Sequence, residues 1–163
     1  MAEAASWSDF FVAQVGAAAA LAGLLFVAIS INLERILAVP QLPSRAAEML
    51  LMLVGAMITS SFCLIPAQRP IVLGVQLVVA GAAMAIGAMI AQVRSLANVK
   101  SQTPAWWVWR LLIVPFTSAP ILIGGMVMIA GGANGLYWIA SGVLITLSVT
   151  VLNAWILLIE IKR

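Results

Sequence analysis

Residues 111–159 read LLIVPFTSAPILIGGMVMIAGGANGLYWIASGVLITLSVTVLNAWILLI, 49 residues without one charged side chain. As a single helix this run would extend roughly 74 Å at 1.5 Å per residue, more than twice the hydrocarbon thickness of a bilayer. It must therefore fold back on itself. The break falls at Gly131-Gly132-Ala133-Asn134-Gly135, where turn formers of low helix propensity replace the aliphatic residues. Two crossings result, at about 109–130 and 136–159.

Moving towards the amino terminus, three more uncharged runs are long enough to cross. Ile71–Val93 supplies 23 residues, Met49–Gln68 supplies 20 and Phe10–Leu33 supplies 24, where about 20 are needed. The corresponding spans are expected at about 71–93, 47–66 and 10–33. A polar connector from Glu34 to Glu48 separates the first two, and Pro66 and Pro70, on either side of Arg69, are expected to end the second. The fold class is all-α: one polytopic membrane bundle of five transmembrane helices.

Composition supports this reading. Of 163 residues, 64% are hydrophobic and 8% charged, against about 25% charged in a soluble domain. The net charge of +3 comes from basic residues scattered between apolar runs, which form no stripe for nucleic acid. Read as a topology signal, the same charges are informative. Arg35, Arg45, Arg94, Lys100, Arg110, Lys162 and Arg163 fall on one side of a five-span threading, and Arg69 alone falls on the other. This bias places the N-terminus outside and the C-terminus in the cytoplasm. Trp7, Tyr137 and Trp138 are expected at the outer boundary, and Trp106, Trp107, Trp109 and Trp155 near the inner one. The first nine residues carry Glu3 and Asp9 instead of a basic n-region, so the opening segment is expected to be retained rather than cleaved.

Chemistry is sparse. The chain has one cysteine, Cys63, and no histidine, which leaves no ordinary ligand set for zinc, haem or an iron–sulfur cluster. No cofactor and no metal are expected. A serine nucleophile would lack a base, Lys100 and Lys162 lie in polar flanks, and the candidate acid–base carboxylates Glu34, Glu48 and Glu160 lie near a membrane boundary. The sequence assigns no catalytic residue, and the protein is not read as an enzyme.

What the sequence offers instead is surfaces. Helices in lipid associate by close packing and hydrogen bonds, and small residues let their backbones approach. On the first span Ala13, Gly16, Ala20 and Gly23 follow steps of three, four and three along one face. The third span has Gly74 and Gly81 in one small-residue face and Gly87 in another, so it is expected to lie centrally between neighbours. These stripes pack within the chain or, for the first span, against another subunit. Thr146, Thr150 and Asn153 share a face of the fifth span and are a candidate polar lining. Pro115 and Pro120, with Thr117 and Ser118 between them, make the fourth span a candidate hinge or polar pinch beside a cavity, or a static kink, with freed carbonyls that nearby hydroxyls or waters can satisfy. Glu34, Arg35, Arg45 and Glu160 form either a solvated interfacial charge set or a cytoplasmic docking and headgroup site. The connector segment PAWWVWR, 104–110, reads as an interfacial anchor or a partner-binding segment.

The stretches SDFFVAQVGAAAALAGLLFVAISINLERIL, LPSRAAEMLLMLVG, GLYWIASG and LNAWILLIEIKR resemble a family of short bacterial integral membrane proteins, some of which are labelled modulators of the FtsH protease. The resemblance implies a multi-pass protein of the bacterial cytoplasmic (inner) membrane and carries over no catalytic residue. The expected role is non-catalytic association in the lipid bilayer, as a homo-oligomer or as an accessory to another membrane protein. The alternative is an oligomeric channel or small transporter with an uncharged polar pathway.

Overall fold

A computed structural model describes the backbone of residues 2–97 and 104–162 and the side chains of residues 7–94 and 112–159. The helices are α1 (Ala2–Ile31), α2 (Leu33–Ala38), α3 (Leu42–Phe62), α4 (Pro70–Ala97), α5 (Pro104–Ile129) and α6 (Gly135–Lys162). All but α2 are long and apolar enough to cross a membrane. The protein is thus an all-α, multi-pass helical membrane protein with five candidate spans.

Local chemistry explains where the helices stop. At the end of α1 the Asn32 side-chain amide donates to the Ala28 carbonyl at 2.9 Å, competing with the backbone pattern and releasing the chain after Ile31. The short α2 follows at once, with Ile36 buried beneath it. α3 begins at Leu42 with Pro43 in its first turn, a position where the missing N–H costs nothing. The supposed connector 34–48 therefore holds α2 and the first two turns of α3, and the second span occupies 42–62 rather than 47–66. α3 also ends early. Residues 64 and 65 form i+3 turns onto Ser61 and Phe62, because Pro66 cannot donate to Phe62 and disfavours helix at Ile65. Ala67 then takes a left-handed φ of 55°, and Gln68 donates through Nε2 to Gln76 Oε1 at 2.6 Å, tying the turn to α4. The turn at 130–134 falls where the glycine-rich segment predicts it. Gly131, at φ +80°, donates to Met128 and Gly132 to Val127, the paired hydrogen bonds that close a helix on glycine.

Helices α3, α4, α5 and α6 pack in a ring, each against its two ring neighbours, and α1 lies outside it against α3 and, more lightly, α6. The central helix is α3, which touches α1, α2, α4 and α6. The third span, α4, lies between neighbours as expected, with α3 on one side and α5 on the other, but it is not the helix with the most partners. The reason lies in polarity. α3 buries Arg45, Glu48, Thr59 and Ser60, and polar groups facing lipid are costly enough to drive the helix that carries them inward. Half of its most apolar 18-residue window is buried, against 11% for α1.

Candidate functional site

The glycines divide the helices into surfaces already used and one still open. A Cβ built on Gly74 would lie 2.7 Å from the Gly125 carbonyl oxygen, and one on Gly125 would lie 2.8 Å from that of Gly74. The backbones of α4 and α5 meet there. Gly81 abuts Leu122 and Ile121 of α5, Gly87 abuts Leu51 of α3, and Gly55 of α3 abuts Met84 of α4. Gly124 meets Gly135 across the α5–α6 turn, and Gly142 of α6 packs on Ile121 and Pro120. The small faces of α4 are spent inside the molecule.

Helix α1 is different. A Cβ on Gly16 or Gly23 would meet nothing within 4 Å, and Ala13 and Ala20 are exposed. The buried residues of α1 are Phe11, Ala18 and Leu25, spaced by seven and so aligned on one face at 3.6 residues per turn. Ala13, Gly16, Ala20 and Gly23 lie on roughly the opposite face. Near its amino end α1 is held by aromatic contacts: Trp7 meets Tyr137 of α6 edge-on at 4.9 Å and stacks on Phe11 at 5.9 Å. Trp7 and Tyr137 thus share one end of the bundle, as their expected common boundary requires. Tyr137 and Trp138, with Asn134 and Ser141, line an open cavity of about 480 Å³ at that end. The heptad of the buried face was visible in the sequence but is masked there by the many alanines around it.

The candidate polar lining proves to be largely interior. Thr146 and Thr150 are buried and Asn153 is half-buried. Thr150 donates to the Thr146 carbonyl at 2.7 Å and Thr146 to the Gly142 carbonyl at 2.8 Å, with the Thr117 carbonyl of α5 at 3.5 Å. Each hydroxyl proton is thus directed at a carbonyl of its own helix. Helix α5 runs unbroken through Pro115 and Pro120. Its hydroxyls bond upstream, Thr117 to Ile113 at 3.1 Å and Val114 at 3.0 Å, and Ser118 to Val114 at 2.7 Å. They do not reach the carbonyls four residues before each proline, Leu111 and Phe116. The reason is geometric: a serine or threonine folds back three or four residues along its own helix, and from 117 and 118 that reach ends at Ile113 and Val114. Gly142 leaves room for Pro120 and Ile121 to seat against α6.

The charge set separates. Glu34 and Arg35 are exposed and line an open cleft of about 560 Å³ with Ser30, Ile31, Asn32 and Leu33. Arg45, by contrast, is buried on α3 with Glu48 (9% and 8% exposed), which corrects the expectation that Arg45 belongs to a solvated or docking set with Glu34 and Arg35. Glu48 accepts a hydrogen bond from Gln92 Nε2 of α4 at 2.8 Å, so this end of the bundle joins α3 to α4 through a polar pair that the sequence reading had not linked. The side chains of Glu160, of Arg110 and of the tryptophans at 106, 107 and 109 lie outside the described residues.

Cys63, one residue beyond α3, is pushed up by burial to about 12 and remains a protonated thiol at neutral pH. Comparison with protein-family models, with curated proteins and with solved structures finds no match to this chain.

Proposed function

We propose that this is a non-catalytic protein of the bacterial cytoplasmic membrane, N-terminus outside and C-terminus inside, that acts by lateral helix association. It assembles through the outward face of α1, with a second copy or as the accessory subunit of a larger membrane complex. The observation that carries the reading is the contrast among glycines: those of α3, α4 and α6 within the bundle are in close contact with a neighbouring helix, while Gly16 and Gly23 meet nothing. Glycine in a helix interior costs about 1 kcal/mol relative to alanine, and in lipid the compensating gain is a close helix partner. The charge bias across the five spans supports the orientation, and the resemblance to short bacterial membrane proteins supports the location.

The test is assembly in lipid nanodiscs. The parent is expected to run as an oligomer or with a co-purified membrane partner. Gly16→Leu combined with Gly23→Leu is expected to release a folded monomer, since a Cβ at either position meets nothing within 4 Å in the subunit. A parent that is monomeric and partner-free, or an assembly that the double substitution leaves intact, contradicts the proposal.

A further inference from the structure

We infer that the cleft at the α1–α2 elbow holds the headgroup of an aminophospholipid: a phosphate diester carrying a primary ammonium. The inference needs the bilayer but not the association of α1. The candidate span Trp7–Ile31 runs roughly 37 Å at 1.5 Å per residue, longer than the hydrocarbon core of about 30 Å, so its end at Ile31 lies at headgroup depth.

Two kinds of group meet there. On the apolar side, Ile31 is 78% exposed, and Leu33 and Leu37 are exposed one turn apart on α2, a surface suited to the upper part of acyl chains. On the polar side, Glu34 and Arg35 are exposed lining residues of the same cleft. Consecutive helical residues do not face each other, so the carboxylate and the guanidinium are presented as separate points of opposite charge. That is the charge order of a zwitterionic headgroup, with phosphate on Arg35, whose planar fork suits phosphate oxygens, and ammonium on Glu34.

The remaining polar groups favour a primary ammonium over a quaternary one. The Asn32 side-chain nitrogen gives one of its two hydrogens to the Ala28 carbonyl at 2.9 Å, and the Ser30 hydroxyl gives its proton to the Phe26 carbonyl at 2.8 Å. Both lining residues keep an oxygen with lone pairs for a further donor. An –NH₃⁺ group has three donors and no acceptor, and so matches a carboxylate flanked by an amide oxygen and a hydroxyl oxygen. A trimethylammonium group has no N–H to give.

The experiment is native mass spectrometry of the full-length protein in mild detergent, titrated with phosphatidylethanolamine, phosphatidylcholine and phosphatidylglycerol of identical acyl chains. The parent is expected to retain phosphatidylethanolamine roughly tenfold over phosphatidylcholine, the scale of one charge-assisted hydrogen bond. Glu34→Gln is expected to abolish that preference, and Arg35→Ala to weaken both lipids alike. Free phosphoethanolamine is not expected to displace the lipid, because it lacks the chains that Ile31 and Leu37 receive. Equal retention of the two zwitterionic lipids by the parent overturns the inference without any variant. So does a preference that survives Glu34→Gln, stronger retention of phosphatidylglycerol, which would mark a merely cationic patch, or displacement by the free headgroup.

Discussion

Gly74 and Gly16 are the same residue in two environments, and they are expected to respond oppositely to one methyl group. At Gly74 the added Cβ would fall 2.7 Å from the Gly125 carbonyl oxygen and 3.1 Å from the Ile129 nitrogen. Backbone atoms cannot swing aside, so α4 and α5 must separate. Gly74→Ala should cost about 1–3 kcal/mol, the scale of overpacking in a filled interior. At Gly16 the methyl meets nothing, and Gly16→Ala should leave the subunit unchanged or stabilise it by up to about 1 kcal/mol through helix propensity. Thermal unfolding of the two variants in the same detergent checks the pair; equal losses would mean that Gly16 is packed after all. In sequence these residues were indistinguishable, since both sit in stripes of small residues at steps of three and four or seven. What separates them is the partner, and no local pattern encodes that.

Among the elements, α5 and α6 show how much of a site can be read from spacing and where the reading stops. The common face of Thr146 and Thr150 was legible as a period, and both are buried. The direction of their hydroxyls was not legible, because a threonine in a helix can bond its own preceding turn as readily as a neighbour. Thr146 bonds the Gly142 carbonyl at 2.8 Å and lies 3.5 Å from the Thr117 carbonyl of α5. Thr146→Val is therefore expected to cost less than about 1 kcal/mol, near the average of intramembrane hydrogen bonds, and to leave assembly in nanodiscs unaltered. A loss of several kcal/mol, read from denaturant or thermal unfolding, would show that the hydroxyl holds α5 to α6. Element ends follow the same division. The glycine-rich turn between α5 and α6 was plain from its composition. The start of α3 was not, because Arg45 and Glu48 look like connector residues until their burial is seen. Charge normally marks the water side of a span, and here the bundle interior shields it instead.

For the molecule as a whole, the number of long apolar helices was the most legible property, because the uncharged run of 49 residues is too long for one crossing and each of the other three runs is about one crossing long. The arrangement of the crossings was less so. A ring of four helices with α1 on its flank leaves one transmembrane helix mostly facing lipid, with its small residues turned away from the bundle. That placement is the basis for the proposed association, and disulfide cross-linking in native membranes tests it most directly. In a Cys63→Ala background, Ala20→Cys lies on the open small face. Phe26→Cys, also exposed, lies roughly a third of a turn round the same helix at 3.6 residues per turn. The account expects rapid oxidation of the Ala20 variant to a species of higher mass, as a dimer or an adduct with a partner, and little from the Phe26 variant. Cross-linking that favours Phe26, or equal yields from the two positions, would contradict it.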